Sequence, residues 1–204
     1  MISTLRASES KDTNDDSKKS FPVIVPDPDS AVKTHVAQYI CQELGMPESP
    51  ASFASLDDVL AKYSTERQGY IFLNNMDETL LWDLDATVLK GLQKFVATAH
   101  TILWVTGGGG PFSKSPKFGI VGGLLHVVRQ EENRVKVVLL SLDIEQSLAR
   151  LDPATLHLIT TAFIVDDVEP EYMQIDNRLC INHWVTARKI DQHIFEQLEE
   201  PVVL

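Results

Sequence analysis

Basic residues are scarce in this chain. Its 204 residues hold 18 Lys and Arg against 29 Asp and Glu, a formal net charge of −11, and the cations gather into no stripe. A surface for nucleic acid needs clustered Lys and Arg to displace counterions from phosphates, so that class of partner is excluded. Cysteine is scarcer still. Cys41 and Cys180 belong to no CxxC pair and no Cys/His cluster, which excludes a zinc site and reads as two reduced thiols in a cytoplasmic protein. No apolar run approaches the roughly 20 residues of a membrane span. The N-terminus has no apolar segment of the kind a secretory signal requires. His35, His100, His126, His157, His183 and His193 form no HExxH, and no GxSxG elbow occurs. Both the zinc-protease and the serine-hydrolase arrangements are therefore missing.

What the chain does have is apolar content, 44% of its residues, distributed as alternating short and long segments. Residues 1–20 are polar and mixed in charge, and cannot bury enough surface to offset ordering, so an unstructured lead is expected there. From residue 21 the pattern changes. FPVIVP reads as a strand. Asp29 or Ser30 can cap the helix AVKTHVAQYICQELG, which ends at Gly45 and presents Val32, Val36, Tyr39, Ile40 and Leu44 on one face. A second strand near 51–54 and a helix over 56–63 follow. Then come the strand GYIFLNN, the helix DATVLKGLQKFVATAH, the strand ILWVT, the helix FGIVGGLLHVVRQEE and the strand VKVVLLSLD, with further helix in IEQSLARL and ATLHLITTAFI.

Strands that are apolar almost throughout, separated by helices, indicate a mostly parallel sheet covered on both faces. The expectation is a doubly wound, Rossmann-like α/β domain of about five strands over residues 21–165. Residues 166–204 break the rhythm. EYMQIDNRLCINHWV reads as a β-hairpin turning at Asp176-Asn177, followed by a polar helical tail ending in EQLEE, which together form a C-terminal extension.

The most conspicuous candidate site is the run that ends the strand ILWVT: Thr106, Gly107, Gly108, Gly109 and Gly110. Backbone amides of a glycine turn can cradle phosphate. This run does not match the dinucleotide fingerprint, because that fingerprint follows the first strand and opens the first helix. In this chain the first strand runs into Pro26-Asp27-Pro28-Asp29, where two carboxylates would repel a pyrophosphate. No GK[ST] follows the glycines, so a P-loop is also excluded. A loop that merely turns at the end of a strand accounts for the glycines as well as a weak ligand site does.

Hydride-transfer chemistry of the short-chain reductase type pairs a Tyr with a Lys four residues on. Here Tyr39, Tyr63, Tyr70 and Tyr172 are followed at that distance by Glu43, Arg67, Asn74 and Asp176. A phospho-receiver would need an Asp at the end of GYIFLNN and a Lys after VKVVLLSLD, where this chain has Asn74, Asn75 and Asp143. No catalytic residue and no metal ligand is therefore assigned. His126, on an apolar helix, is read as a core or interface residue. Gly119, Gly122 and Gly123 are read as letting that helix approach the sheet.

The segment ILWVTGGGGPFSKSPKFGIVGGLLHVVRQEENRVKVVLLSLD resembles one stretch of the fungal highly reducing polyketide synthases, through Trp104, Val105, Thr106, Gly107, Ser115, Pro116, Gly122, Arg129, Glu131, Asn133 and Asp143. The order of elements upstream is similar too. EPEYMQIDNRLCINHWV is similar to the entry into an enoyl reductase domain, with Asn177 where a glycine is usual. Gln130 adds a residue to the RxEN pattern, and His126 stands where smaller side chains, Arg or Thr are common.

The resemblance covers roughly residues 21–200. It implies the structural, non-catalytic half of a split ketoreductase, running into the start of an enoyl reductase. It implies no cofactor in this segment, although the parent synthase would use NADPH and phosphopantetheine. The implied partners are the catalytic ketoreductase and the enoyl reductase domains. No ketosynthase, acyltransferase or carrier sequence accompanies it, so a fragment or remnant of such a synthase is expected. The alternative is an independent small-molecule or nucleotide-binding module using the Gly107–Gly110 loop.

Overall fold

The computed structural model describes residues 2–4, 23–25, 30–46, 69–77, 80–82, 84–110, 113–132, 134–144, 151–165 and 169–182. These form strands β1 (Ile2–Thr4), β2 (Val23–Val25), β3 (Gly69–Asn75), β4 (Thr101–Thr106), β5 (Lys136–Ser141), β6 (Glu171–Ile175) and β7 (Arg178–Asn182). The helices are α1 (Ala31–Glu43), α2 (Ala86–Thr98), α3 (Pro116–Glu131) and α4 (Pro153–Ile164). The expected elements at 51–54 and 56–63, the middle of IEQSLARL and the EQLEE tail lie outside the described residues.

All seven strands belong to one sheet, in the order β1-β7-β6-β5-β4-β3-β2. β2 to β6 are parallel to one another, and β1 and β7 pair antiparallel at one end. The expected parallel core of about five strands is thus present, in an α/β Rossmann-like architecture. Side chains alternate across it as the pleat requires. Leu103, Val105, Val138 and Leu140 face one core, with α1 and α4 above them. Ile102, Trp104, Val137 and Leu139 face the other, under α2 and α3. In that second core Phe72 lies 4.4 Å from Trp104, and Tyr70 meets Phe95 edge-on at 4.8 Å, ring centroid to centroid.

The β5-α4-β6 connection steps along the sheet in the same direction as the two before it, yet its helix lies on the opposite face. This placement, with α1, gives the first core its cover.

The local signals read at the ends of α1 and at the hairpin turn act as expected, and two further caps join them. Ser30 caps α1 by accepting from the Lys33 amide at 3.3 Å. At the other end Gly45 (φ +62°) donates to the Gln42 carbonyl and Met46 to that of Cys41, a Schellman closure. Asp85 and Asp152 cap α2 and α4. The Asp176-Asn177 turn joins Ile175 to Arg178 with both φ positive, at 49° and 56°, as a tight type I′ hairpin demands.

Several expectations are corrected. The polar lead is not wholly unstructured, since Ile2–Thr4 adds to the β7 edge, where unpaired backbone groups supply partners independent of side-chain polarity. The expected hairpin extension forms, and β6 pairs directly with β5, so it continues the sheet. The buried face of α1 is rotated, so that Val32 is exposed while Lys33, Val36, Ala37, Ile40 and Cys41 are buried. On α3 the sheet-facing residues are Phe118, Val121, Leu125 and Val128. Gly119 and Gly123 face away with open space around them, so they do not bring the helix onto the sheet. His126 is exposed and meets only the Gln130 side chain among the described contacts, at 3.3 Å.

Candidate functional site

The glycine run leaves the carboxyl end of β4 and is held from three sides. Thr106 is fully buried, and its hydroxyl donates to the Gly108 carbonyl at 2.7 Å. The Thr106 carbonyl accepts from the Leu142 amide at 2.8 Å, tying the ends of β4 and β5 together. Gly107 passes so close to the chain after β3 that a Cβ there would lie 1.7 Å from the Met76 carbonyl oxygen. Gly109 has φ +93°, and its Cβ would meet the Phe118 backbone at 3.1 Å. Two of the four glycines are therefore required by packing. The Thr106 hydroxyl is spent within the loop.

Gly108 and Gly110 do line a cleft of about 230 Å³ at the carboxyl ends of β4, β5 and β6. Ser113, Ser141, Asp143 and Asp176 share that lining. The sequence-derived candidates thus divide. Gly108 and Gly110 reach the cleft, while Thr106, Gly107 and Gly109 hold the loop. Two carboxylates at its rim disfavour a phosphate on electrostatic grounds.

Beside the cleft lies a polar network whose members are far apart in the chain and were not anticipated. Gln174 accepts from the Asp143 amide at 3.2 Å and donates to Thr155 and Asn177, both at 2.9 Å. Asn177 in turn donates to Asp152 at 3.2 Å. Thr155 and Gln174 are almost wholly buried, so the network satisfies polar groups that would otherwise be costly. Its hydrogen bonds, above all that from the Thr155 amide, hold the Asp152 carboxyl below the ordinary carboxylate range.

Arg129 has an equally structural use. Its guanidinium donates to the Val137 and Pro170 carbonyls at 3.1 and 2.6 Å and to Glu171 at 2.9 Å, joining α3 to β5 and to the start of β6. Pro116, from the same resemblance, opens α3.

β2 and β3 are neighbours in the sheet, and the helices that follow them lie on opposite faces, α1 on one and α2 on the other. Open α/β sheets bind ligands at such a switch point. Here Lys33, 1% exposed, makes a 2.5 Å ion pair with Asp77, which follows β3. A buried lysine was not expected. The signal for it was its position four residues before Ala37 and three before Val36, on a stripe otherwise apolar.

Cys41 and Cys180 are both buried thiols. Burial is the main cause that pushes the Cys180 thiol up. Among the described residues, no group of three or more His, Cys, Asp or Glu gathers to hold a metal, and no helix is long and apolar enough to cross a membrane.

No family model matches the chain, and no solved structure matches it. Curated proteins do. A highly reducing polyketide synthase of Emericella nidulans is 37% identical over 78 residues, 38% of this chain and 3% of the synthase. A reducing polyketide synthase of Alternaria solani is 28% identical over 134 residues, 65% of this chain and 6% of the synthase. Highly reducing polyketide synthase 40 of Fusarium mangiferae is 25% identical over 166 residues, 78% of this chain and 7% of the synthase. The chain thus spans only 3–7% of the length of these relatives. Taken with the α/β sheet and the motif positions it orders, this similarity relates the chain to a short segment of the fungal highly reducing polyketide synthases.

Proposed function

We propose that this chain is a non-catalytic structural subdomain of a polyketide synthase reductive region, bracing a catalytic ketoreductase and leading into an enoyl reductase. The observation that carries the reading is the way the glycine loop is consumed by packing. Gly107 and Gly109 lie against the backbones of Met76 and Phe118, and Thr106 closes the turn. A loop built that way positions strands and helix. The acid-rimmed cleft and the absence from the sequence of a Tyr/Lys pair at four-residue spacing point the same way. Bracing is then a matter of surface: the domain presents a rigid sheet and helices against which the catalytic half folds.

The test is co-expression with the ketoreductase and enoyl reductase segments of a matching synthase. The expected result is a stable complex in which ketone reduction survives substitutions in the 106–110 loop that leave the fold intact. Tight, stoichiometric NADPH binding with ketone reduction by this chain alone would overturn the proposal.

A second reading, a stand-alone small-molecule module, draws support from the cleft beside Gly108 and Gly110. Replacing Gly108 and Gly109 by Ala separates the two. Loss of a measured ligand affinity with an intact fold favours the module, whereas loss of stability alone favours the brace.

A further inference from the structure

We infer that the outer edge of β7 is a strand-accepting site whose occupant, Ile2–Thr4, is exchanged between two copies of this chain. Among the described residues β1 pairs with β7 alone, in the register Ile2↔Asn182, Ser3↔Ile181 and Thr4↔Cys180. A sheet edge offers a row of N–H and C=O groups, and such a row accepts an extended chain through its backbone. The three-residue ladder is therefore the same whether Ile2–Thr4 comes from the chain itself or from a second copy.

Topology favours the second copy. β1 and β2 stand at opposite ends of the seven-stranded sheet, six strand spacings or about 29 Å apart. β1 is antiparallel to β7, and β7 to β6, so β1 runs in the same direction as β2. The chain thus leaves β1 at the carboxyl end of the parallel strands and enters β2 at their amino end. Residues 5–22 have to cross the width of the sheet and also return along its length. Fully extended, a connection of that length reaches about 60 Å, so it closes within one copy. A coil of the same length averages only about 23 Å end to end, which is less than the crossing. Residues 5–20 are polar and mixed in charge, a composition that favours coil over packed structure. Pairing within one copy therefore works against its own tether, which lowers the effective concentration of the strand at its edge. Exchange is also self-limiting. Each copy gives one strand and receives one, so the pair closes as a dimer. The inference is independent of the polyketide assignment, which stands or falls on the co-expression experiment.

A disulfide trap in the full chain tests it. Thr4 and Cys180 are directly opposite in the ladder, and the Cα separation of such antiparallel pairs, about 4.5–5.5 Å, suits a disulfide. Thr4→Cys is oxidised to completion with oxidised glutathione, and the linked peptides are mapped by mass spectrometry. At micromolar protein the 4–180 bond should form mostly within one chain. Toward millimolar protein a covalent dimer should appear, joined by the same 4–180 bond between chains. Thr4→Cys/Cys180→Ser should lose that dimer. Sedimentation of the unmodified chain provides a second measurement should the cysteine variant not fold. Wild type should dimerise over the same concentration range, and a chain lacking residues 1–4 should stay monomeric. A 4–180 bond confined to single chains at every concentration, no 4–180 bond at all, a dimer undiminished by Cys180→Ser, or equal sedimentation with and without residues 1–4 would each overturn the inference.

Discussion

Alanine substitution along the 107–110 loop discriminates sharply between a packed turn and a ligand cradle. At Gly107 the added methyl would sit 1.7 Å from the Met76 carbonyl oxygen and 3.3 Å from Ile144 Cγ1. Carbon and carbonyl oxygen ordinarily approach no closer than about 3.3 Å, so one backbone or the other must move by roughly 1.6 Å. The first obstacle is main chain at the end of β3, which cannot rotate aside as a flexible side chain could. Overpacking of this kind costs about 3 kcal/mol or more. For a chain of this size that is a fall in Tm of roughly 6–12 °C. At Gly109 the methyl meets the Phe118 backbone at 3.1 Å and the residue must hold φ +93°, for which an L side chain is penalised by about 1–2 kcal/mol. At Gly110 the nearest atoms lie at 3.9 and 4.0 Å, and the change should stay within about 0.5 kcal/mol. Circular dichroism and tryptophan fluorescence melts of the three variants give the order directly. A Gly107→Ala protein melting with wild type, or Gly110→Ala as the most damaging of the three, would refute the packing argument.

Three further outcomes are expected. The Asp152 carboxyl is held low in the folded chain by its bond from the Thr155 amide, so its contribution to stability is present above the unfolded carboxylate value and is lost as pH falls through the folded one. Melts of wild type and Asp152→Asn should therefore converge below about pH 4, and a constant gap across the acid range would remove Asp152 from the account. Arg129→Lys keeps the charge but cannot reproduce a planar fork to two carbonyls and a carboxylate, and should cost about 1–3 kcal/mol by denaturant titration. An unchanged midpoint would show the fork to be dispensable. Cys180 is buried with its thiol shifted upward, so labelling by a thiol reagent should be slow in the native chain and fast once it is unfolded. Rapid native labelling would contradict the described packing.

Much of the architecture was legible because it depends on local physics. Apolar runs of strand length alternate with helical periodicity whether or not the partners are known. Ser30, Gly45, Asp85 and the Asp176-Asn177 turn act through atoms a few residues away. Contacts between distant segments could not be read in that way. Periodicity shows that α1 has an apolar side, but the burial of Lys33, ion-paired with an Asp 44 positions later, is seen only when the remote segments are packed together.

The same holds for the glycines, the hairpin and the last helix. Composition marks Gly107 as free to turn, and only the passage of Met76 beside it explains why a side chain is forbidden. Asn177 is recognisable as a turn residue, yet its bond to Asp152 joins the hairpin to the cap of a helix that precedes it. Sequence alone determined most of the described strands and helices, β1 being the exception, because those preferences are settled within a few residues. Tertiary structure decided which charges are buried, which face α4 covers and how the hairpin joins the sheet, because each depends on groups that meet only when remote segments are packed together.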